Sequence, residues 1–400
     1  MSDKTSAEFT FGKNWQRFLR SYTPERQKIA SECLLSFLQM SDLKGKSFLD
    51  IGCGSGIHSA AAFLAGAERV YSFDYDRDSV AATEQLRKHH GSPTNWTVTQ
   101  GSVLDETFMR NFSTFDVVYA WGMLHHTGDQ WQAMRNATLP LGQQSRLYIA
   151  LYAKEAYTDW QHWIEVKRRY NAASKVRKIL MEIHYIWKTI LGRKILNIFT
   201  LPKIIWQYQH SRGMDFMTDV RDWLGGWPTE FSSVPEVMDF ANNQLGLELV
   251  NLHTGEGNSE FLLVKKGHAG SMGYEPLDLK THYSCLPVFE DIRQLPAQSV
   301  WIFGTARGGD LMFDYLSRSK VDVAGFIDIE PQQKTLHSLP IISIDEFISQ
   351  QPKTVSVVLA NRYFKENGKR LREAGYMNLF NAHPLVIRLN YHKPANIVAA

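Results

Sequence analysis

A chain of 400 residues is long for one domain and comfortable for two, and with 44% hydrophobic and 21% charged residues it can bury real cores throughout. Three cysteines, Cys33, Cys53 and Cys285, are odd in number and far apart, which excludes a disulfide framework or a cysteine zinc site and points to a reducing compartment. The net charge of +3 is unevenly placed: residues 162–212 hold eleven bases against Glu165 and Glu182, a local +9 that leaves the remainder at −6 and predicts a local basic surface.

The first residues lack the basic start and apolar run of a secretory signal, and no apolar run approaches the ~18 residues of a membrane span, so a cytoplasmic protein is expected. Phe11-Gly-Lys-Asn-Trp15 precedes a helix opened by Thr23 as cap and Pro24 at its first position, with Ile29, Cys33, Leu34, Phe37 and Leu38 as its apolar stripe. Phe48, Leu49 and Ile51 read as a buried parallel strand that enters three glycines at alternate positions, Gly52, Gly54 and Gly56. Such a turn, leading into a helix over 57–65, brings backbone N–H groups close to a ligand beside the positive end of the helix.

Gly66 stops that helix, and a second strand over 69–73 delivers Asp74. A helix starting at Asp78 and Ser79, a strand over 96–99 and the stretch 100–105 follow. The fourth strand, 115–120, delivers Trp121-Gly122-Met-Leu-His125-His126-Thr127. Then come a helix over 131–139, a turn at 140–142 and a fifth strand over 146–152. Two strands needed to finish the sheet, 247–252 and 260–266, appear only after a helix opened by the capping box Ser233-x-x-Glu236, with Asn258-Ser-Glu260 in the turn between them. Residues 153–232 therefore read as an insertion. From Val300, a second unit repeats the plan of strand, Gly304-Thr-Ala306-Arg-Gly308-Gly309 loop and helix, with further strands over 321–327, 339–344, 355–359 and 376–380. Ala306 stands where a full dinucleotide loop has its middle glycine, which speaks against dinucleotide binding.

Asp50-x-Gly52-x-Gly54-x-Gly56, with Asp74 closing the next strand, resembles the signature of class I S-adenosylmethionine (SAM)-dependent methyltransferases, and the Trp121 to Thr127 segment resembles the W-G-x-L-H-H-T stretch of one bacterial branch of them. The resemblance implies an α/β fold with a seven-stranded Rossmann-like sheet, SAM as cofactor, and a lid made by residues 1–46 over its mouth. It implies cofactor contacts from Asp50, Gly52, Gly54, Gly56, Asp74 on the ribose, Ser102 and Val103 at the adenine, and Trp121 and Gly122 near the methyl group. His125 is the first candidate for a base, with Asp219 and Asp222 as rivals, and Arg212, Asp215, Trp227, Glu230 and Asn258 are candidates for holding the acceptor. The C-terminal unit resembles the small Rossmann-like domain attached to several sugar-modifying enzymes. The domain plan is thus a lid (1–46), a methyltransferase domain (47–266) with a helical cap (153–232), a linker (267–295) and a smaller α/β domain (296–400).

The expected activity is methyl transfer to a small-molecule or glycan acceptor, and the basic insertion favours an anionic one such as a nucleotide-sugar or phosphorylated sugar. A non-catalytic sugar-nucleotide-binding or scaffolding protein is an alternative, against which the intact Asp50, Gly54 and Asp74 speak. An RNA or lipid methyltransferase is another, yet the motif of base-N enzymes, Asn/Asp-Pro-Pro followed by an aromatic, is missing, which disfavours nucleic acid. A membrane-surface role for Trp187, Ile204, Ile205 and Trp206 competes with the anionic-acceptor reading, which expects no flotation with liposomes. Adjacent histidines diverge and have no third ligand nearby, so no metal site is expected.

Overall fold

The computed structural model describes residues 12, 15, 19, 22–157, 159–187, 216–254, 257–278, 286–295, 299–331, 333–361 and 363–392. The described residues fall into two compact units, one ending at Leu277 and the other taking the chain from Asp278.

In the first unit the strands are β1 (Ser47–Ile51), β2 (Arg69–Asp74), β3 (Trp96–Gln100), β4 (Phe115–Trp121), β5 (Leu141–Tyr152), β6 (Leu247–Thr254) and β7 (Asn258–Lys265). They form one sheet in the order β3-β2-β1-β4-β5-β7-β6, parallel except for β7, which runs antiparallel to both neighbours. The chain reverses its direction of travel across the sheet at β1 and β4, so the ends of those two strands open a crevice of the kind in which α/β sheets bind ligands.

Helices α1 (Pro24–Leu38), α2 (Ile57–Leu64), α3 (Arg77–His89), α4 (Glu106–Arg110) and α5 (Gln130–Ala137) fill the first part of the chain. The Thr23 hydroxyl caps α1 by accepting the Arg26 N–H at 3.3 Å. Its buried face differs from the expected stripe: Ile29 and Cys33 are exposed, while Gln27 is buried beside Leu34, Phe37 and Leu38. The cause is a polar contact that periodicity does not reveal, the Gln27 amide donating to the Ile57 carbonyl at 3.2 Å. Helix α3 is capped by Asp76, whose carboxylate accepts the Asp78 N–H, two residues earlier than the expected start.

Three further differences follow from strand pairing. Leu141 pairs with Phe115, so the predicted turn at 140–142 is largely the start of β5. Asn258, Ser259 and Glu260 lie on β7, opposite Tyr152, Leu151 and Ala150, and not in a turn. The expected linker is not loose at either end: the Tyr274 hydroxyl donates to the Leu38 carbonyl at 2.6 Å within the first unit, and Leu286 and Phe289 are buried in the second.

Of the insertion, α6 (Trp160–Ala172), α7 (Lys175–Tyr185) and α8 (Phe216–Gly225) are described, and α9 (Val234–Gln244) follows with the expected Ser233 and Glu236 capping box. Aromatic rings form the interior of this cap: Tyr157 stacks on Trp223 at 5.3 Å between centroids, Trp163 meets Trp223 edge-on at 5.3 Å, and Phe231 stacks on Tyr152 at 5.3 Å.

The second unit has β8 (Ser299–Phe303), β9 (Asp322–Asp328), β10 (Thr335–Leu336), β11 (Leu339–Ser343), β12 (Ser356–Leu359) and β13 (Leu379–Asn381) in the order β10-β11-β9-β8-β12-β13, parallel except for the short hairpin strand β10. Helices α10 (Arg307–Arg318), α11 (Ile344–Gln350), α12 (Phe364–Glu373) and α13 (His383–His392) cover it. Gly308 is required where α10 begins, since a Cβ there would stand 2.1 Å from the Ala360 carbonyl oxygen. The Thr305 hydroxyl donates to the Asp328 carboxylate, closing this loop on itself.

Candidate active site

The glycine loop after β1 is held by the end of β2. Gly52 and Cys53 both donate to the Phe73 carbonyl, at 2.8 and 3.1 Å, and Gly54 N–H donates to Asp74 Oδ2 at 3.0 Å. Asp76 N–H takes the other oxygen of Asp74 at 2.9 Å. Gly54 has a φ of +53°, and its bare α-carbon faces the indole of Trp15, 3.1 Å from where a Cβ would sit. Gly12 N–H donates to Asp76 Oδ2 at 2.8 Å, so residues 12 and 15 lie over the loop, as a lid would.

With the N–H groups of Gly52, Cys53, Gly54 and Gly56 already committed inside the protein, the loop offers a ligand a side-chain-free surface more than a nest of donors. The Asp74 carboxylate, held by the Gly54 and Asp76 N–H groups and drawn also by the Tyr75 N–H, is an oriented acceptor that suits a vicinal diol. Burial pushes its carboxyl up to about 6 against the lowering effect of those donors. Asp50 plays a different part from the one expected. It is 2% exposed and accepts the Ser59 hydroxyl of α2, while Ser59 meets Ser72 at 2.7 Å and Ser72 accepts the Trp96 indole N–H at 2.9 Å. Asp50 thus ties the loop to α2 and β2 from beneath, and burial pushes its carboxyl up to about 7.

Toward the adenine end, Ser102 is half-buried and its hydroxyl accepts the Leu104 N–H at 3.2 Å, whereas the Val103 carbonyl is taken by the Asn136 amide at 2.8 Å. Val103 can therefore contribute its apolar side of the pocket but not its carbonyl.

Beyond β4, the Trp121 side chain is 39% exposed and Gly122 has a φ of +74°. The Asn258 amide lies 4.0 Å from where a Gly122 Cβ would sit, so Asn258, expected beside the cap wall, comes to the end of β4, and its Oδ1 has no partner among the described residues. His125 does not join them as a base. It is fully buried and stacked on Tyr152 at 3.8 Å, and its Nδ1 accepts the Tyr152 N–H at 3.3 Å. Held inside the protein with Nδ1 against the chain at Tyr152, the ring has no face open to an acceptor's proton. Burial, with His126 and Lys167 nearby, also drives its basicity well below the usual range.

Glu230 likewise proves to be a clamp: its N–H donates to the His125 carbonyl at 2.9 Å and its carboxylate accepts the Gln130 N–H at 2.8 Å. Trp227, three residues before it in the chain, is half-buried. Asp219 and Asp222 lie on α8, their side chains outside the described ones, and Arg212 and Asp215 lie outside the described residues. Among the described residues no group of three or more His, Cys, Asp or Glu could hold a metal.

Glu260, two residues along β7 from Asn258, was not singled out by the sequence. It is 4% exposed, lies opposite Ala150 and His253 in register, and accepts the Tyr148 hydroxyl at 2.7 Å. His58, in the first turn of α2, sits 5.1 Å from the Tyr119 ring and 6.2 Å from Trp121. Burial lowers its imidazole to about 4, opposed by the Glu260 charge. The available signal was an acid followed by the unbroken apolar run Phe261-Leu-Leu-Val264, since a carboxylate in a buried strand is seldom there for packing.

Residues 42–201 match the family model described as a methyltransferase domain. Among curated proteins, the ribosomal protein L11 methyltransferase of Legionella pneumophila (strain Lens) is 50% identical over 50 residues, 12% of this chain and 17% of that protein. That of Acinetobacter baylyi is 51% identical over 51 residues, 13% and 17% of the two chains. The chain thus spans about a sixth of the length of the curated relatives it matches. Among solved structures, magnesium protoporphyrin IX methyltransferase from Synechocystis PCC 6803 aligns over 64% of this chain and 95% of its own at 13% identity and a TM-score of 0.37. An O-methyltransferase from neocarzinostatin biosynthesis aligns over 60% and 56% at 14% identity and a TM-score of 0.34.

Proposed function

We propose that the chain is a class I SAM-dependent methyltransferase acting on a small-molecule acceptor. The observation that carries this reading is the Asp74 carboxylate, oriented by the Gly54 and Asp76 N–H groups at the end of β2 beside a side-chain-free glycine surface. The match of residues 42–201 to a methyltransferase domain supports it. Asp74 would hold the ribose hydroxyls of SAM, Gly52 and Gly54 would let the amino-acid end approach, and Ser102 and Val103 would border the adenine. When bound, SAM supplies an electrophilic methyl group on a sulfonium.

The protein's main task is then to hold an acceptor in line with that methyl group. Trp121, Gly122 and Asn258 are the residues assigned to this, and Glu260 replaces His125 as the group that receives the proton released by an O–H or N–H acceptor. A positioned base of this kind contributes roughly a hundred- to ten-thousand-fold. Tyr148, by donating to Glu260, fixes the carboxylate in place.

The finer reading, an anionic sugar acceptor, rests on the basic excess of residues 162–212. Two of its cations support it weakly, because Arg168 and Arg169 both bond to Glu165 and are 60% and 70% exposed. Neutralising Arg168, Arg169, Arg177 and Lys178 tests it: an anionic acceptor steered by this surface gives a KM that rises in the variant and with salt, and a KM flat in both removes the surface from the acceptor site. Methyl-labelled SAM offered with sugar phosphates, nucleotide-sugars and neutral phenols would identify the acceptor class, and label appearing on none of them with SAM tightly bound would favour a binding role.

A further inference from the structure

Helix α7 turns its only acid inward. Glu182 is 5% exposed, accepts the Tyr170 hydroxyl at 2.7 Å and pairs with Arg221 at 3.2 Å. The opposite face is apolar and open to solvent: Val176, Ile179, Leu180 and Ile183 are 69%, 52%, 60% and 56% exposed, and Trp187, just beyond the helix, is 39% exposed. Their spacing of three and four residues places them on one stripe of the helix. Five of the twelve exposed large hydrophobic side chains among the described residues thus fall within twelve consecutive positions, which single scattered surface residues do not explain.

Charge decides what this stripe fits. Lys175 and Arg177, both exposed, border it on α7, while Lys178 turns inward over the Tyr170 ring, and from residue 183 to 214 the sequence holds Lys188, Arg193, Lys194, Lys203 and Arg212 with no acid at all. A second copy of the chain would set one basic face against another, which is repulsive. We propose that α7 docks on the surface of an anionic lipid bilayer: the apolar stripe enters the boundary between headgroups and acyl chains, and the exposed Lys175 and Arg177 beside it meet the headgroup phosphates. Among the described residues no helix is long and apolar enough to cross a membrane, so the helix lies on the surface. This reading competes with the anionic-acceptor one for Arg177, and flotation separates them, since the acceptor reading expects none.

Flotation of the full chain with vesicles tests it directly. The protein rises with phosphatidylglycerol–phosphatidylcholine vesicles at low salt, and binding is weaker by roughly tenfold or more with pure phosphatidylcholine, or near 1 M salt where the Debye length is ~3 Å. Ile179→Glu, Leu180→Glu and Ile183→Glu together reduce binding by at least about tenfold while the melting temperature and SAM affinity hold. Should that variant fail to fold, Lys175→Glu with Arg177→Glu gives the same loss from exposed positions. Wild-type protein that stays at the bottom of the gradient with anionic vesicles overturns the proposal, as does equal flotation of the folded variants. A wild-type dimer that the triple change converts to a monomer also overturns it, because the stripe is then a contact between copies.

Discussion

Asp74 Oδ2 and the Gly54 N–H meet at 3.0 Å across the mouth of the glycine loop, and this one bond sets both the loop's shape and the carboxylate's direction. Because Asp76 N–H fixes the other oxygen, the carboxylate cannot rotate without losing a charge-assisted bond worth about 1.5–3 kcal/mol.

Buried carboxyls make the pH dependence of stability run opposite to ordinary acid denaturation. Asp50 is raised from 3.8 to about 7 and Asp74 to about 6, both chiefly by burial, so the folded protein binds protons more readily than the unfolded chain. Their ionisation therefore opposes folding above their folded values, and that cost disappears as pH falls toward 3.8. Asp50→Asn keeps an acceptor for Ser59 without the charge. It should raise the stability measured by urea unfolding at pH 8 by on the order of 2–4 kcal/mol, and have little effect below about pH 4. A midpoint lowered at pH 8 would contradict the burial argument.

His125→Ala should act on stability, with SAM affinity unchanged. The ring is fully buried, stacks on Tyr152 and accepts its N–H, so its loss leaves a cavity and an unpaired donor costing about 2–4 kcal/mol. Thermal denaturation shows this as a drop of several degrees. A variant with wild-type melting would mean that the packing around Tyr152 tolerates the hole.

Glu260→Gln keeps the size of the side chain and a group for Tyr148 to bond, but cannot take up a proton. With any acceptor methylated on oxygen or nitrogen, single-turnover rates should fall roughly a hundred- to ten-thousand-fold while SAM affinity stays within a factor of about two. Wild-type turnover in this variant would remove Glu260 from proton transfer.

The second unit's own core includes Leu286 and Phe289, which precede its first sheet strand by a dozen residues, and Phe289 N–H donates to the Asn381 carbonyl at 2.8 Å. A fragment of residues 290–400 lacks both side chains and should be less stable than one of residues 278–400 by about 3–5 kcal/mol, measured by urea unfolding. Equal midpoints would show that this arm adds nothing to the core.

Much of this was legible in the sequence wherever local signals and the fold agree. The β1 strand and its glycines, the Ser233 capping box and the late return of β6 and β7 after an insertion each carry their own pattern, and the structure has them. Contacts between distant residues were not legible. Helical periodicity could not know that Gln27 would reach the Ile57 carbonyl, and alternation could not show that Asn258 and Glu260 extend β7 instead of turning, because Tyr152 and Ala150 supply the partners. His125 misled for the same reason: a histidine after β4 has the right position for a base, and only the Tyr152 N–H reveals which nitrogen is occupied.

Isothermal titration of SAM into the wild type and Asp74→Ala tests the account's central claim most directly. The account predicts measurable binding to the wild type and at least about tenfold weaker binding to a folded Asp74→Ala protein, the loss of one charged hydrogen-bond acceptor. Equal SAM affinity in the two proteins, or none in the wild type, would contradict it.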